Sequence, residues 1–386
     1  MTSSLSRLLR RSFCTSLLQQ SPVPPPTEKL SKLIADIYKE RDLKQVVQKF
    51  KKYSEIDRFR TNIKVYDTTV HRLATCKKLN WVEEILEDQK RFKDIGKEGF
   101  AVRLITLYGK AGMFDHARKV FDEMPERNCK RTVLSLNALL GACVSSKKLD
   151  KFDEIFNEVG TLGIELDMVS YNVVINVLCE KGSFDDAIGM VDEMQKKGFE
   201  PNVITFATLL YWLYRKNRFA DGERIWALMH ENNVTPSVRC YNSRLMGVIW
   251  EMGMSKAVEF VNEMQVKGVK PDVSTIEILI KGFSKNGNLE ETKKWYKEIQ
   301  KCDSDPTKAT YAALVPLACK KGELDLVAKL CQEILHIRCH VDDSLLQSAV
   351  DELANGSKLE EANMIVQLAK SNSYHRYKLK LPLPDM

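Results

Sequence analysis

The sequence of 386 residues contains no apolar run of the about 18 residues that a helix needs to cross a bilayer. Its ten cysteines include no C-x-x-C pair and follow no regular spacing. Several of them, such as Cys143, Cys179 and Cys319, fall inside apolar helical stretches. This usage is typical of reduced cysteines that pack as small hydrophobic residues in a reducing compartment.

The sequence also lacks the motifs of several enzyme classes. It has no G-x-x-x-x-G-K-[ST] loop, no dinucleotide fingerprint, and no H-x-E followed by the C-x-x-C of a zinc deaminase. The cluster Cys331, His336, Cys339 and His340 has ligand chemistry, but its spacing matches no zinc motif. We therefore expect no catalytic site, no metal and no cofactor.

Acidic residues are absent before Glu28, whereas three arginines fall within the first eleven residues. Residues 1–20 are rich in Ser and Arg, which is typical of an organellar transit peptide, although a disordered basic tail would look similar. Arg10 and Arg11, just before Ser-Phe-Cys-Thr-Ser, favour mitochondria over chloroplasts. We expect residues 1–20 to be a cleavable transit peptide to the mitochondrial matrix, followed by a proline-rich linker at 21–27.

Basic residues only slightly outnumber acidic ones, at 59 against 52, and the net charge is +7. Hydrophobic residues make up 44% of the chain, which is normal for a folded protein. The small positive excess permits nucleic-acid binding without demanding it, because affinity for phosphate depends on where the charges cluster.

Four of the twelve prolines recur at a constant interval of 35 residues, at positions 201, 236, 271 and 306. Because proline stops helices, evenly spaced prolines imply evenly spaced helical units. That period divides residues 63–377 into nine units, in which positions 8 and 17 are always apolar. The units begin at Ile63, Glu98, Val133, Met168, Val203, Val238, Val273, Lys308 and Asp343.

Position 15 of the unit is glycine in four units and asparagine in a fifth. Both residues tolerate the left-handed backbone that ends a helix, so position 15 predicts the turn of a two-helix hairpin. One hairpin cannot bury its own apolar face, whereas stacked hairpins share a continuous core. The sequence thus predicts an all-α solenoid of helix-turn-helix repeats, with a degenerate capping repeat at 28–62 and a basic tail at 378–386.

The units resemble the pentatricopeptide repeat (PPR). The unit that begins at Met168 carries Val-Ser-Tyr-Asn, Leu-Cys-Glu-Lys-Gly, Asp-Glu-Met and Lys-Gly-Phe-Glu-Pro-Asn in that order. The Trp-Leu-Gly-Tyr signature of the tetratricopeptide repeat is missing, and the five tryptophans occupy unrelated positions. The resemblance covers residues 63–377 and implies a right-handed superhelical solenoid that binds single-stranded RNA.

A narrower resemblance rests on residues 119–132, with the sequence Lys-Val-Phe-Asp-Glu-Met-Pro-Glu-Arg-Asn-Cys-Lys-Arg-Thr. This block and the short array of one repeat type are similar to a small group of plant mitochondrial PPR proteins. Members of that group are associated with the small subunit of the mitochondrial ribosome. The similarity implies ribosomal RNA and small-subunit proteins as partners, with no membrane and no small-molecule substrate.

In this family one unit faces one base, which is read by the residues at positions 5 and 35. The resemblance implies that Asn with Asp favours uracil and that Asn with Asn accepts pyrimidines. Three units match this code, with the pairs Asn137 and Asp167, Asn172 and Asn202, and Asn242 and Asp272. The other six depart from it, and Val102 and Ala207 at position 5 cannot hydrogen-bond a base.

Two further positions complete the expected RNA site. The family's apolar wedge at position 2 is present in three units, as Leu134, Val169 and Ile204. Cations occupy position 13 in four units, as Lys110, Arg215, Lys285 and Lys320. Stacked repeats would align these cations along a phosphate backbone, although solvated helix ends carry similar residues. Further candidates for contacting structured RNA are Lys130, Arg131, Arg376, Lys378 and Lys380.

Three functions remain open on these grounds. The first is a ribosome-resident protein that holds ribosomal RNA and neighbouring proteins, which the narrower resemblance favours. The second is a transcript-specific factor that coats single-stranded organellar mRNA for stabilisation or processing. The third, a protein scaffold without RNA, explains the Asn and Asp pairs least well.

Overall fold

The computed structural model describes residues 27–300, 305–337, 339–372 and 377–382. The chain divides into two compact units, each made of several 35-residue units. The first unit is residues 1–199, and the second unit is residues 200–386. The first contains α1 to α11: Thr27–Lys39, Leu43–Tyr53, Asp57–Thr61, Ile63–Thr75, Leu79–Asp88, Glu98–Lys110, Phe114–Glu123, Val133–Ser145, Asp150–Leu162, Met168–Lys181 and Phe184–Lys196. The second contains α12 to α20: Val203–Arg215, Phe219–Glu231, Val238–Val266, Val273–Lys285, Leu289–Gln300, Lys308–Lys320, Leu324–His336, Asp343–Asn355 and Leu359–Ser371. Because the described residues contain helices and no strand, the all-α prediction is confirmed.

The first helix of every hairpin begins at position 1 of the 35-residue unit. Position 35 is therefore the N-cap of the next helix. Asp167 shows how the cap works, because its side chain accepts a hydrogen bond from the Ser170 N–H at 2.8 Å. The Ser170 hydroxyl accepts one in return from the Asp167 N–H at 3.2 Å, which completes a capping box. Capping boxes of this kind begin five helices, with Thr132, Asp167, Asn202, Asp272 and Thr307 as the N-cap residues.

The two helices of a hairpin are separated by a residue with left-handed backbone. Gly182 has this conformation at position 15, with φ of 89°. The same position is left-handed without glycine in other hairpins, as at Lys77, Lys147, Asn217 and Ser357. In α14 the left-handed residue is instead Gly253, one position later, and the helix bends there. Turn geometry thus follows position in the unit more closely than residue type.

Within the first unit, the helices α6 and α8 pack in direct backbone contact. A Cβ atom added to Gly109 would lie 2.6 Å from the Cα of Ala142, which is closer than real Cβ contacts come. In the second unit Gly247 on α14 lies against the ring of Tyr214 in a similar way. A small residue at each of these points lets the first helices of two neighbouring hairpins approach each other closely.

Each unit has its own apolar core, and buried cysteines contribute to both. Cys143 and Cys179 lie in the first unit and Cys331 in the second, all fully buried. Burial raises the pKa of each of these three thiols to about 12, so they remain protonated. None of the described helices is both long and apolar enough to span a membrane.

Candidate nucleic-acid interface

Asn137 lies on α8 at position 5 and hydrogen-bonds to both residues of the capping box that begins α10. Its Nδ2 donates to Asp167 Oδ1 at 3.0 Å, and its Oδ1 accepts from the Ser170 hydroxyl at 2.7 Å. Asn137 is only 3% exposed and Ser170 is fully buried. These bonds give the buried Ser170 hydroxyl the acceptor that it needs.

The second unit repeats this arrangement around Asn242. Its Nδ2 donates to Asp272 Oδ1 at 3.0 Å, and its Oδ1 accepts from the Thr275 hydroxyl at 2.7 Å. The partners again lie 30 and 33 residues further along the chain, as they do for Asn137. We call such a set a triad. It consists of positions 5 and 35 of one 35-residue unit and position 3 of the next 35-residue unit.

Each Asn triad keeps polar groups available for a ligand. Within the described residues, Asn242 uses one of its two amide hydrogens, and Asp272 hydrogen-bonds through Oδ1 alone. Asp272 is exposed, and Asp167 in the other triad is half-buried. A donor and a charged acceptor therefore lie side by side, which matches a base edge that alternates acceptors and donors, such as that of uracil.

The third predicted pair, Asn172 and Asn202, is divided between the two units. Asn172 is half-buried on α10 in the first unit. Asn202 is the N-cap of α12 in the second, where its Oδ1 accepts from the Ile204 N–H at 2.9 Å and the Thr205 N–H at 3.2 Å. Asn202 thus has the same capping role as the aspartates of the two triads.

The predicted wedges stand on the first turn of their helices, three residues before position 5. Leu134 is 41% exposed, which is unusual for a leucine, whereas Val169 and Ile204 are half-buried. Residues three apart on a helix are neighbours on its surface, so Leu134 and Asn137 share one face of α8. An exposed apolar side chain there is available to contact the flat face of a base.

The four predicted phosphate contacts are each the last residue of a first helix, in α6, α12, α15 and α17. A cation in this place also interacts favourably with the helix dipole, whether or not RNA is bound. Lys110 forms an ion pair with Asp67 at 2.6 Å. Within the described residues, no carboxylate lies within ion-pair distance of Lys285 or Lys320, and both are exposed.

Aromatic side chains accompany two of the three position 13 cations of the second unit, Arg215 and Lys285. The Lys285 ammonium lies 5.3 Å from the ring centroid of Trp250, which is itself at position 13 and 64% exposed. The Arg215 guanidinium lies 5.5 Å from the ring of Tyr211. Sequence reasoning missed Trp250, although its place at position 13 and the stacking of bases on aromatic rings were a usable signal.

The additional cations have different surroundings. Lys130 is exposed, whereas Arg131 donates to the carbonyls of Phe121 at 2.9 Å and Asp122 at 2.8 Å and stacks on the Phe121 ring. Arg131 therefore helps to end α7. Arg376 lies outside the described residues, as do the predicted transit peptide and most of the linker.

In the hairpin that begins at Glu98, position 5 is the buried Val102 and takes no part in capping. Glu98 at position 1 does so instead. Its Oε1 accepts from the Thr132 hydroxyl at 2.8 Å, from the Thr132 N–H at 2.9 Å and from the Ser135 N–H at 3.2 Å. The start of α8 is thus satisfied without a polar side chain at position 5.

At Gln347, position 5 of its 35-residue unit, the side chain hydrogen-bonds to the segment of residues 377–382, which has no regular secondary structure. Gln347 Nε2 donates to the Lys380 carbonyl at 2.8 Å, and Gln347 Oε1 accepts from the Lys380 N–H at 2.9 Å. Tyr377 and Leu379 are buried, while Lys378 and Lys380 point to solvent. The separation of 33 residues is that of the triads, so this segment lies where the next first helix would begin.

Comparison with known families gives matches along much of the chain. The PPR repeat family matches residues 166–215 and 236–285. The PPR repeat matches residues 103–129, 134–164 and 276–304.

Three of the relatives are named as small ribosomal subunit proteins of Arabidopsis thaliana. Small ribosomal subunit protein mS78 (rPPR3a) is 51% identical over 169 residues, or 40% of this chain and 42% of the relative. Small ribosomal subunit protein mS79 (rPPR3b) is 53% identical over 154 residues, or 40% of this chain and 38% of the relative. The chain thus spans about two fifths of their length. Small ribosomal subunit protein mL103 (rPPR7) is 28% identical over 96% of this chain and 90% of its own length.

Two solved structures with RNA also align with the chain. PPR10 of maize in complex with an 18-nt psaJ RNA element aligns over 94% of this chain and 60% of PPR10, with 15% identity and a TM-score of 0.48. Yeast Rmd9p in complex with a 16-nt target RNA aligns over 88% of this chain and 79% of Rmd9p, with 11% identity and a TM-score of 0.39.

Proposed function

This chain is a pentatricopeptide-repeat protein, and we propose that it binds single-stranded RNA in the mitochondrial matrix as part of the small subunit of the mitochondrial ribosome. Residues 63–377 would form the RNA-binding array, and residues 1–20 the transit peptide. Relatives named as small ribosomal subunit proteins support the ribosomal role. The protein would act by binding, with no catalytic step of its own.

The observation that carries RNA binding is the pair of matching triads around Asn137 and Asn242. Two separate parts of the chain hold the same amide and carboxylate at the same spacing, each with a donor and an acceptor that no described residue uses. Capping alone needs neither of these unused groups. The exposed position 13 cations of the second unit would add contacts to phosphate.

Changing Asn137 and Asn242 to Ala together tests base reading. We expect affinity for a pyrimidine-rich oligonucleotide to fall, since each base contact is worth about 1–3 kcal/mol on the scale measured for DNA. Fluorescence anisotropy with a labelled oligonucleotide measures the dissociation constant, and circular dichroism checks that both variants are folded. The matched control is Asn157→Ala with Asn363→Ala, which alters one exposed asparagine on a second helix in each unit.

An unchanged dissociation constant in the Asn137 and Asn242 variant, with normal folding, would contradict base reading by the triads. Equal weakening in the control would show a general surface effect rather than a specific site. Full-strength binding in the control together with weaker binding in the test variant supports the proposal.

Sedimentation of a mitochondrial extract tests the ribosomal role against the alternative of a transcript-specific factor. We expect the protein to migrate with the small ribosomal subunit after mild nuclease treatment, because buried ribosomal contacts resist digestion. Migration as a free protein, or in a light particle that nuclease destroys, would instead favour a factor that coats single-stranded mRNA.

A further inference from the structure

The hairpin that begins at Val273 contains a third triad with a different chemistry. Glu277 stands at position 5 on α15, and its Oε1 accepts hydrogen bonds from the hydroxyls of Thr307 and Thr310. The Thr310 bond is 2.8 Å long. The partners lie 30 and 33 residues after Glu277, which are the separations of the two Asn triads. The three residues all belong to the second unit.

In this triad the hydrogen bond between positions 5 and 35 runs in the opposite direction to that between Asn242 and Asp272. Both threonine hydrogens point at the carboxylate, and both hydroxyl oxygens also accept from backbone N–H groups of the capping box. Within the described residues, Glu277 Oε2 receives no hydrogen bond, and the side chain is half-buried rather than enclosed. An ionised carboxylate only accepts, so the three side chains of this triad offer a ligand an acceptor and no free donor.

Acceptors of this kind select a base by the donors on its edge. Guanine presents two neighbouring donors, the N1–H and the N2 amino group, and a carboxylate oxygen can take up such donors in strong charge-assisted bonds. Uracil presents a single N–H between two carbonyl oxygens, which a carboxylate repels. Adenine and cytosine each offer one amino group beside a ring-nitrogen acceptor.

We propose that the triad of Glu277, Thr307 and Thr310 is a base-binding site that prefers guanine and disfavours uracil. The site rests on the proposed RNA binding, because it requires the base to approach position 5 as in the Asn triads. Since one unit faces one base, the guanine is the immediate neighbour of the base at Asn242. The preference follows from which atoms remain unbonded, and a carboxylate that served only to cap α17 would give no base preference.

A guanine scan tests the site on the unmodified protein. A single guanine is moved along an otherwise pyrimidine oligonucleotide, and the dissociation constant is measured at each position. We expect one position to bind roughly 5- to 100-fold more tightly with guanine than with uracil. Inosine lacks the N2 amino group but keeps the N1–H, so at that position it should recover only part of the gain.

Variants then assign the preferred position to Glu277. Glu277→Gln retains an oxygen for the two threonines and adds an amide donor, so we expect it to remove the guanine preference while the protein stays folded. The control Glu360→Gln, an exposed change on α20, should leave the scan unaltered. In Asn242→Ala, the base dependence should change at the position next to the preferred guanine.

Two results would overturn the inference. One is a guanine scan with no preferred position, on wild-type protein whose RNA binding depends on Asn137 and Asn242. That result would contradict the Glu277 site and leave the proposed function intact. A guanine preference that persists in Glu277→Gln assigns the preference to another residue. Complete absence of RNA binding by the folded wild-type protein overturns both proposals together.

Discussion

Two neighbouring hairpins of the first unit, residues 98–132 and 133–167, solve the same structural problem in different ways. Each must supply an acceptor to the capping box that begins the following helix. The second hairpin uses Asn137 at position 5, whereas the first uses Glu98 at position 1, because Val102 cannot accept a hydrogen bond. The comparison teaches that capping can be separated from base reading.

Position 5 therefore has a folding role beside the base-reading role proposed for it, and sequence alone does not distinguish the two. Asn137 is almost fully buried and accepts a hydrogen bond from the fully buried Ser170 hydroxyl. Asn137 therefore contributes to folding even without RNA. Glu98 shows that the folding role can move to another position and leave the reading position apolar. A hairpin with a polar position 5 is thus a candidate reader only where unbonded groups remain, as they do in the triads.

The largest effect is expected from breaking the contact between the two hairpins. Gly109→Ala places a Cβ atom 2.6 Å from the backbone of Ala142, so α6 and α8 must separate. We expect the free energy of unfolding to fall by about 1–3 kcal/mol. The control is Gly141→Ala, where a Cβ atom meets nothing within 4 Å and a helical alanine gains up to about 1 kcal/mol.

Thermal and urea unfolding followed by circular dichroism measure both glycine variants. Equal stabilities for the two would mean that the helices adjust to the added methyl group at no cost, contrary to the packing described above.

A smaller effect is expected from removing each capping acceptor in turn. Glu98→Ala and Asn137→Ala should each lower the free energy of unfolding by about 1–2 kcal/mol, because each leaves capping groups without a partner. Only Asn137→Ala should also weaken RNA binding. The pair is compared by urea unfolding and by anisotropy under the same conditions, and an equal loss of RNA affinity in both variants would contradict the separation of roles.

The smallest effect is a gain of affinity when a reader is installed in the first hairpin. Val102→Asn combined with Glu98→Ala places an amide at position 5, 30 residues before Thr132, in the arrangement of the triads. We expect affinity for an oligonucleotide long enough to reach this hairpin to rise by up to about 1 kcal/mol, or roughly fivefold. Glu98→Ala alone is the control, and a gain of the same size in it would exclude the installed amide as the cause.

Much of the fold follows from the period of the sequence. The nine first helices begin at the residues where the 35-residue period starts each unit. A side chain at the preceding position caps six of these starts. Lys97, Ser237 and Asp342 make no side-chain capping bond at the other three. The capping role of position 35 was readable as well, since Ser or Thr follows three residues after Asp167, Asn202, Asp272 and Thr307. Position 35 thus indicated both a helix cap and a base-reading residue, and the family's code pointed only to the second.

The contacts that sequence reasoning could not reach join residues whose pairing depends on packing. Glu98 meets Thr132 only because two helices stack with a particular offset, and no local pattern encodes that distance. The pairing of Lys110 with Asp67 is similar, since the two lie 43 residues apart. Glu277 was visible in the sequence as a departure from the family's code, but its bonds to Thr307 and Thr310 depend on how the helices pack.

The segment of residues 377–382 has a practical consequence for anyone who wishes to lengthen this array. Gln347 bonds to the main chain of Lys380, and Tyr377 and Leu379 fill the apolar surface on which another hairpin would stack. New hairpins fused directly after α20 would have to displace this segment before they could dock. Hairpins inserted ahead of Asp343 would leave this segment in place and lengthen the array internally.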